Sequence, residues 1–490
     1  MIELRPYQED AAHALRVGIA EKRMNQILCA PTGAGKTVIA AYLMDAANHK
    51  GKRALFVVDR LNLVDQTSRV FDDYGISHGV MQAQHWRTRG YERIQVCSAQ
   101  PLARREWPEA DLIVVDEAHT VHATTRKRIE RRDVPVIGLT ATPFTKGLGK
   151  LYDGLVNVTT TTDLINRGYL SNFRIFAASE PDMTGVKVVA GEWDEKEASK
   201  RALEVVGDCV HEYNAHGEGR KFICSAVDTA HVDELYRQFM GAGVHVAAYT
   251  YKVDDEERKG IVEEFRKPES YIRGLITVTA ATKGFDVPDI GVVIMARPLR
   301  KSLAEHIQFF GRGLRAHPGK TECIVLDHSG NSRRFWSEWT AFFDQGASVL
   351  DDGKKREKPK SGEEDGDAVM TCPVCKHLHM PRPVCPNCGH EYPKRAGVRH
   401  VKGTLAELVA SGNRTELTRE IWPQVCAYAR TYKEDDRARK FALALYKDLT
   451  GTWPTRQFES TQSAAEVDPT LFNKIRSLSI RHAHRRVRAA

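Results

Sequence analysis

The chain has 490 residues, of which 42% are hydrophobic and 28% are charged, and it carries a net charge of +8 at pH 7. Because single cores stop growing beyond ~250–300 residues, this length predicts several domains, and the composition excludes wholesale disorder. No run approaches the ~20 apolar residues that span a membrane, and the amino terminus lacks a secretory signal. We therefore expect a cytoplasmic location and no membrane partner, and the basic excess is compatible with a polyanionic partner.

The first segment with a chemical signature is Arg5-Pro6-Tyr7-Gln8, which precedes an amphipathic helix. The carboxamide of Gln8 can pair with the edge of an adenine base, and Arg5 or Tyr7 can frame or stack on that base. An ordinary turn before a surface helix is the alternative interpretation of the same residues.

A glycine loop at 30–37 reads Ala-Pro-Thr-Gly-Ala-Gly-Lys-Thr, between a short apolar run and a stretch of helical character. Strand, glycine loop and helix in this order are typical of phosphate binding, because the backbone N–H groups and the helix amino terminus face the phosphates. We expect Lys36 to contact the terminal phosphates of ATP and the Thr37 hydroxyl to bind Mg²⁺. Ala30 replaces the first glycine of the strict pattern, and a chance glycine-rich turn is the alternative. The predicted nucleotide contacts of the loop are Thr32, Gly33, Ala34, Gly35, Lys36 and Thr37.

Two carboxylates follow the apolar run 112–115. At the end of a parallel strand beside the glycine loop, Asp116 lies where Mg²⁺ needs an anionic partner. Glu117 lies where a general base orients and activates the attacking water. We expect His119 at the nucleotide edge that faces a second domain. A solvated Asp-Glu pair on a surface loop is the alternative interpretation.

The strand predicted at 136–140 ends near two hydroxyls, those of Thr140 and Thr142, which suit a link between the nucleotide site and a part that moves. Short apolar strands alternate with helices throughout this half, and that alternation predicts a parallel sheet covered by helices. Ligands of such sheets gather at the carboxyl ends of the strands, where the candidate residues fall.

These motifs in this order resemble the first RecA-like domain of superfamily 2 DEAD/DEAH-box helicases, and the second half continues the likeness. The segment 221–225 resembles the strand that opens the second domain, 278–288 resembles motif V, and 308–315 resembles motif VI. The Gly-Lys, Leu-Asp and Gly-Asn pairs within 319–331 are similar to the ending found in RadD-like and phage-type members. The resemblance covers residues 1 to about 335.

Residues 205–345 alternate strands and helices a second time. Strands are predicted at 221–225, 244–249, 273–279, 291–296 and 321–326, and helices at 228–241, 254–266 and 302–316. This stretch has no phosphate loop of its own. The sequence therefore predicts a domain of similar type that completes the site of the first domain.

The resemblance implies roles for residues of this second domain. Arg312 and Arg315 lie three residues apart, so on a helix they would share one face. Directed at the nucleotide, they would stabilise charge on the transferring γ-phosphate when the domains close, whereas a basic helix face in solvent is the alternative. Gln308 would couple the two domains, and Gly284 and Asp286 would sense their closure.

Four clustered cysteines follow a charged stretch at 354–367, whose composition is that of a flexible linker, with nuclear targeting as an alternative for its basic half. Two Cys-x-x-Cys pairs with nine residues between them fit four thiolates around a tetrahedral Zn²⁺. The predicted ligands are Cys372, Cys375, Cys385 and Cys388. His377, His379 and His390 can substitute as ligands. Such a ribbon contacts nucleic acid or a protein partner, and the sequence does not decide which.

The last part of the chain has a helical pattern, with helices predicted at 404–411, 416–433, 435–450 and 468–488. A small core is predicted from Trp422, Tyr428, Phe441, Leu445 and Tyr446. Residues 476–490 carry five arginines and no acidic residue. Basic tails of this kind contact phosphate, and a solvated helix end is the alternative.

The predicted fold class is α/β, with two tandem RecA-like parallel-sheet domains, a small zinc ribbon and an α-helical carboxyl-terminal module. The predicted boundaries are 1–165 for the first RecA-like domain, 166–204 for a linker, 205–345 for the second RecA-like domain, 346–368 for a charged linker, 369–395 for the ribbon and 396–490 for the helical module. Protein partners can bind through the ribbon or the helical module.

The predicted function is that of a helicase or translocase that requires ATP and Mg²⁺ and remodels nucleic acid, with DNA favoured over RNA. Two alternatives use the same motifs. One is the motor subunit of a restriction-type complex, which would need partners because the chain has no nuclease or methylase signature. The other is an ATP-switched DNA-binding adaptor without processive unwinding.

Overall fold

The computed structural model describes residues 2–59, 62–82, 85–103, 105–177, 180–204, 206–278, 287–353, 369–392 and 414–450, together with 453–454, 457–463, 467, 471–472 and 475. The chain divides into two compact units, Met1–Lys394 and Arg395–Ala490. Among the helices in these ranges, none combines the length and the apolar character that crossing a bilayer requires.

The first half of the chain folds around a seven-stranded sheet in which every neighbouring pair is parallel. Its strands are β1 (Asn25–Cys29), β2 (Ala54–Val58), β3 (Gly79–Val80), β4 (Ile94–Ser98), β5 (Leu112–Val115), β6 (Val136–Thr140) and β7 (Gly154–Val156), in the spatial order β3-β4-β2-β5-β6-β1-β7. The predicted parallel sheet is confirmed. Its central strands are buried along their whole length because helices cover both faces.

Helices pack on the two faces of this sheet as two separate apolar layers. They are α1 (Pro6–Ala20), α2 (Lys36–His49), α3 (Asn62–Asp73), α4 (Ala99–Leu102), α5 (Ala123–Glu130) and α6 (Leu148–Leu151). Residues of α1, α2 and α3 form one layer, and residues of α4, α5 and α6 form the other. Because β5, β6 and β1 are parallel neighbours, the loops that follow these three strands lie together at one edge of the sheet.

The second sheet has six strands, and all of its neighbouring pairs are parallel as well. Its strands are β8 (Asn172–Phe176), β11 (Phe222–Ala226), β12 (Val246–Tyr249), β13 (Gly274–Val278), β14 (Val292–Met295) and β15 (Glu322–Asp327), in the order β12-β13-β11-β14-β15-β8. The accompanying helices are α7 (Thr161–Asn166), α8 (Glu195–Leu203), α9 (Val206–His216), α10 (Thr229–Gly241), α11 (Asp255–Arg266), α12 (Leu303–Gly313), α13 (Asn331–Arg334) and α14 (Trp336–Gln345). The five strands and three helices predicted between 221 and 326 are present, with ends shifted by a few residues.

The segment 166–204, predicted as a linker, contains regular structure. It supplies β8, the edge strand of the second sheet, which pairs with β15 from Asn172↔Glu322 to Phe176↔Leu326. It also holds a hairpin of β9 (Val188–Val189) and β10 (Glu192–Trp193), followed by α8. An edge strand packs on fewer neighbours than a central one, and β8 is buried only towards its end. Its sequence therefore lacks the apolar run that marks a central strand.

The helix predicted at 302–316 is shorter, since α12 ends at Gly313. Arg315 lies beyond that end, in a β-bridge with Leu170. The prediction that Arg312 and Arg315 share one helical face is therefore wrong. The ammonium of Lys320 explains the early end, because it donates to the carbonyl oxygens of Gly313 (2.5 Å) and Arg315 (2.8 Å) and so satisfies groups that further helix would have used.

After α14 the chain returns to the first domain. The rings of Phe144 and Phe342 pack edge to face with centroids 4.9 Å apart, and the N–H of Gly149 donates to the carbonyl oxygen of Asp351 at 2.8 Å. The first part of the predicted linker 346–368 is thus packed against the first domain as far as residue 353. Residues 354–368 lie outside the described ranges.

The cysteine-rich segment forms a small hairpin of β16 (Met370–Thr371) and β17 (Leu378–His379), and it packs against β8. The N–H of Ala177 donates to the carbonyl oxygen of Lys376 at 3.1 Å, and Arg174 donates to the side-chain oxygen of Asn387 at 2.5 Å. Leu378 belongs to the apolar core of the second domain. The hairpin therefore covers the edge of the second sheet, which would otherwise expose unpaired backbone groups.

The second unit, described by itself, contains α15 (Arg414–Tyr432) and α16 (Asp435–Thr450), close to the predicted helices 416–433 and 435–450. The predicted core is present: Trp422, Tyr428, Leu445 and Tyr446 are buried, and Phe441 packs against them. The helix predicted at 404–411 and the basic tail 476–490 lie outside the described residues.

Candidate functional site

The glycine loop connects β1 to α2 as the sequence predicted. Gly33 and Gly35 adopt φ angles of +87° and +75°, in the left-handed region that strains a residue with a side chain. A Cβ atom at Gly35 would lie 2.4 Å from the side-chain nitrogen of Gln8. Lys36 is the first residue of α2, so the helix amino terminus opens directly onto the loop.

The ammonium of Lys36 lies inside this loop. It donates to the carbonyl oxygens of Ala30 (2.9 Å) and Pro31 (3.1 Å). Burial lowers the pKa of Lys36, and the negative charges of Glu117 and Asp116 oppose that shift. A cation held among backbone dipoles, beside a helix amino terminus, fits the phosphate chain of a nucleotide.

The amino-terminal motif supports the loop from one side. The hydroxyl of Tyr7 and the side-chain N–H of Gln8 both donate to the carbonyl oxygen of Ala34 at 3.0 Å, and the backbone N–H of Arg5 donates to the Gln8 side-chain oxygen at 3.0 Å. A carboxamide has two N–H groups and two acceptor lone pairs, so these bonds use half of its capacity. The observed contacts make Gln8 a support of the loop, and the adenine contact stays a prediction.

An aromatic residue that the sequence did not single out completes this corner. The guanidinium of Arg5 lies 4.6 Å from the ring centre of Tyr169, and the rings of Tyr7 and Tyr169 are 5.4 Å apart. Tyr169 falls in the segment predicted as a linker. Its isolated position, with no motif around it, gave no signal.

The carboxylates after β5 lie beside Lys36. Burial and the negative charge of Glu117 together raise the pKa of Asp116 to about 7, although the positive charge of Lys36 opposes them. Glu117 has a φ of +48°, a left-handed conformation that costs energy for any residue but glycine and that clusters at functional sites. Two adjacent carboxylates, one of them buried, are a donor set that suits a divalent cation, and Thr37 lies on the first turn of α2.

A chain of polar contacts leaves the carboxylates and crosses to the second domain. The Nδ1 atom of His119 lies 3.2 Å from a Glu117 carboxylate oxygen and 3.0 Å from the hydroxyl oxygen of Thr140. The side-chain nitrogen of Gln308 on α12 donates to the Thr142 hydroxyl at 3.0 Å and lies 3.3 Å from His119 Nε2. The five residues thus form one connected group that spans the two sheets.

The end of α12 lies against the glycine loop. A Cβ atom at Gly311 would be 2.8 Å from the Cβ of Thr32, and one at Gly33 would be 3.3 Å from the Cγ of Arg315. Arg312 is only 9% exposed, and its positive charge contributes to the lowered pKa of Lys36. Both arginines therefore lie near the glycine loop. Arg312 lies at the end of α12, and Arg315 lies in the β-bridge beyond that end.

Two other predicted residues of this site are not described, and the role of a second supporting residue, besides Tyr169, was not predicted. Gly284 and Asp286 lie outside the described ranges. Lys320 belongs to the Gly-Lys pair of the resemblance, which predicts no contact for it, although it fixes the backbone that carries both arginines. Burial lowers the pKa of Lys320 to about 8, as expected for an ammonium held by carbonyl oxygens rather than by water.

The four cysteines converge at a second site. Their sulfur atoms all lie within 4.8 Å of one another, with Cys372 and Cys388 3.6 Å apart and Cys375 and Cys385 3.7 Å apart. Sulfur ligands at ~2.3 Å around a tetrahedral Zn²⁺ are about 3.8 Å from each other, so the cluster fits that ion.

Two of the histidines considered as alternative ligands have other partners. His377 Nδ1 lies 3.2 Å from the carbonyl oxygen of Ile175, and His379 Nε2 lies 2.9 Å from the hydroxyl of Tyr392. These contacts hold the imidazoles in place beside the second sheet and within the ribbon. The four sulfur atoms therefore remain the donor set that best fits a metal ion.

Comparison with known proteins agrees with this geometry. A model of the "Type III restriction enzyme, res subunit" family matches residues 1–145, and a model of the "Helicase conserved C-terminal domain" matches residues 203–317. The chain has a superfamily 2 helicase core. Enzymes with this core hydrolyse ATP, and the chain is an enzyme of that class. A model of the "Ribosomal L32p protein family" matches residues 354–398, which include the four cysteines.

Individual relatives of this helicase core include a 51.5 kDa protein of a Lactococcus phage, 26% identical over 373 residues, or 74% of this chain and 77% of that protein. A candidate ATP-dependent helicase of Saccharomyces cerevisiae, IRC3, is 27% identical over 361 residues; the match covers 67% of this chain but only 52% of the yeast protein. A fragment of a candidate HsdR subunit of a type I restriction enzyme from Vibrio vulnificus shares the fold, with a TM-score of 0.55, 23% identity, and coverage of 70% of this chain and 67% of that one.

Proposed function

We propose that the chain is a DNA helicase or translocase that couples ATP hydrolysis between two RecA-like domains, at about 1–165 and 205–345, to remodelling of DNA. One observation carries the proposal: the loop that would hold the phosphates is touched by both domains. Ala34 accepts hydrogen bonds from the first domain, while Gly33 lies against Arg315 and Thr32 lies against Gly311 of the second. A nucleotide bound at this loop would therefore lie close to residues of both domains.

The residues of the site divide the work of hydrolysis. Lys36 and the loop N–H groups bind the phosphates, and Glu117 accepts a proton from the attacking water. Arg312 and Arg315 stabilise charge on the γ-phosphate. Mg²⁺ held by Thr37 and Asp116 would neutralise charge on the phosphate oxygens.

The same contacts explain how hydrolysis moves the domains. The chain of polar contacts from Glu117 to Gln308 links the position of the second domain to the residue that activates the attacking water. When the γ-phosphate leaves, the arginines lose their anionic partner, so the closed arrangement becomes less favourable. Repeated closing and opening would shift a polymer that lies across both sheets.

DNA is the polymer that the likenesses favour. The family matched by residues 1–145 is named for a restriction enzyme, and restriction enzymes act on DNA. The net charge of +8 suits a phosphate polymer of either kind, so it does not separate DNA from RNA. Because the yeast relative is about twice the length of the matched part, the substrate of that protein is not a guide to this one.

The test is a panel of polymers added to the full chain in ATP turnover assays. We expect single-stranded DNA, duplex DNA or forked DNA to stimulate turnover more than RNA at equal nucleotide concentration and equal salt. Stimulation by RNA alone would contradict the DNA assignment. If no polymer stimulates turnover while ATP still changes the affinity for DNA, the chain is an ATP-switched adaptor. Stimulation that requires a second protein would indicate a restriction-type motor subunit.

We also propose that the four cysteines hold a structural Zn²⁺. Four thiolates fill the tetrahedral ligand set, so the ion has no open position for catalysis. The ribbon packs on β8, where His377 forms a β-bridge with Phe176, and so the ion would stabilise the edge of the second motor domain. The ribbon would therefore contribute to the stability of the second RecA-like domain.

Loss of the metal is expected to lower the thermal stability of the full chain. Purified protein should contain about one zinc ion per chain by elemental analysis, because ligand spacing and distances fit one site. A strong chelator should lower the unfolding midpoint, and added Zn²⁺ should restore it. Cys375→Ser should abolish zinc retention, whereas Cys426→Ser, in the second unit, should leave zinc content unchanged. Zinc-free protein with an unchanged midpoint would contradict the site.

A further inference from the structure

A tryptophan on the first domain is exposed to an unusual degree. The side chain of Trp86, in the segment 85–93 between β3 and β4, is 70% exposed. Burial of a large apolar side chain stabilises a folded protein, and this indole forgoes most of that stabilisation. Exposed aromatic rings that are held in place are characteristic of binding surfaces.

The segment that carries Trp86 is fixed by hydrogen bonds. The backbone N–H of Arg87 donates to His85 Nδ1 at 3.1 Å, and the Thr88 hydroxyl donates to the carbonyl oxygen of His85 at 2.7 Å. The side-chain amide of Gln95 on β4 donates to the carbonyl oxygen of Arg89 at 2.9 Å. The indole is therefore presented from a defined backbone, and little conformational entropy would be lost on binding.

Two side chains pack against the indole. The guanidinium of Arg87 lies 4.3 Å from the ring centre of Trp86, and the ring of His85 lies parallel to the indole at 5.9 Å. The side chains of Arg87 and His85 are only 15% and 8% exposed, so they face the protein while the indole faces solvent. The indole is thus held by two largely buried side chains while most of its own surface stays exposed.

A second exposed ring lies on the facing part of the second domain. Tyr251 is 75% exposed, in the turn between β12 and α11. The two domains meet here: one Asp65 carboxylate oxygen lies 3.1 Å from His85 Nε2, and the other lies 3.8 Å from the ammonium of Lys259 on α11. The Asp65 carboxylate thus joins the segment that carries Trp86 to the helix that follows Tyr251.

We propose that Trp86 and Tyr251 are base-stacking platforms, one on each motor domain, for a single nucleic-acid strand. This proposal deepens the proposed function and rests on it. Every base has an aromatic face, so stacking binds a strand without regard to sequence. The surroundings suit phosphate, because residues 85–93 carry three arginines and one glutamate, and Lys252 adjoins Tyr251. Relative motion of the domains would change the separation of the two platforms.

The test uses the full chain, fluorescence anisotropy, and two labelled strands of equal length: oligo-dT and the same backbone without bases. Trp86→Ala and Trp86→Leu are each expected to weaken binding of oligo-dT by about tenfold or more, and Trp86→Phe to keep most of the affinity. Binding of the strand without bases should change little. Tyr251→Ala should behave like Trp86→Ala. The control is Tyr271→Ala, which removes an equally exposed ring (66%) from the opposite end of the second sheet, before β13.

Several results would overturn the platforms. Wild-type affinity of Trp86→Ala for oligo-dT would exclude stacking, and so would equal losses for both strands, because they would show that the ring only supports the loop. Loss of affinity in Trp86→Phe would also exclude it, since phenylalanine keeps an aromatic face. Unchanged DNA binding together with loss of a protein partner would assign the surface to that partner. Failure of the wild-type chain to bind any strand would instead overturn the proposed function.

Discussion

Arg312→Ala is expected to lower kcat for ATP hydrolysis by ~10³–10⁵-fold, because an arginine brought from a second domain stabilises charge that develops on the γ-phosphate. Arg312 is almost fully buried at the end of α12, and its charge already reaches Lys36 in the glycine loop. The affinity for ATP should fall far less than kcat, since the stabilised charge develops mainly in the transition state. Phosphate release at saturating ATP and DNA measures the first quantity, and titration with a fluorescent ATP analogue measures the second.

The controls for this prediction separate charge from geometry. Arg312→Lys keeps the charge but loses the planar fork of donors, so it should remain strongly impaired. Arg237→Ala removes an exposed arginine that pairs with Glu234 on α10, and it should leave turnover unchanged. Turnover of Arg312→Ala above about a tenth of wild type would show that Arg312 does not complete the site.

Most of the fold could be predicted from the sequence because the central strands have a recognisable pattern of apolar residues. β5 and β14 are continuous apolar runs, since helices cover both faces of each sheet, and such runs are easily recognised. The site was predictable for a related reason. Asp116 follows β5, and the glycine loop that holds Lys36 follows β1, so the rule that ligands gather at strand ends places them together.

The parts that the sequence did not reveal depend on contacts between distant residues. β8 is an edge strand whose partner β15 is far away along the chain: Arg174 and Glu322, which pair across these strands, are separated by 148 positions. The residues 172–176 themselves contain no pattern that indicates pairing with β15. The early end of α12 has a similar origin, because the carbonyl oxygens there are satisfied by Lys320, which follows a turn.

Supporting residues escape sequence analysis for a further reason. Tyr169 acts through its position beside Arg5 and Tyr7, and any residue of similar shape at that place would pack in the same way. A motif marks residues that contact a ligand in a fixed pattern, whereas a support is specified only by the three-dimensional surroundings. Of the residues that pack together beside the glycine loop, the sequence therefore indicated only the amino-terminal ones, Arg5, Tyr7 and Gln8.

The described arrangement is closed around the glycine loop. Tyr7 and Ala34 share one apolar core with Phe310 and Leu314 of the second domain. Because this packing is continuous, separating the domains would expose apolar surface and carries a free-energy cost. Nucleotide chemistry must offset that cost if the motor is to open. Lys36 is the residue on which to test this, because it lies inside the glycine loop and is within reach of the charge of Arg312 from the second domain.

Lys36→Ala is expected to reduce ATP turnover by at least ~10²–10³-fold, the typical loss when one preorganised charge donor is removed from a reacting centre. The ammonium lowers the pKa of Asp116, so its removal also leaves the carboxylates with less positive charge nearby. Phosphate release with and without DNA measures the effect. Lys50→Ala is the matched control, because Lys50 is exposed at the opposite end of the same helix and should not alter turnover. Wild-type turnover in Lys36→Ala, with normal thermal stability, would move the nucleotide site away from this loop and remove the basis for the coupling of the two sheets.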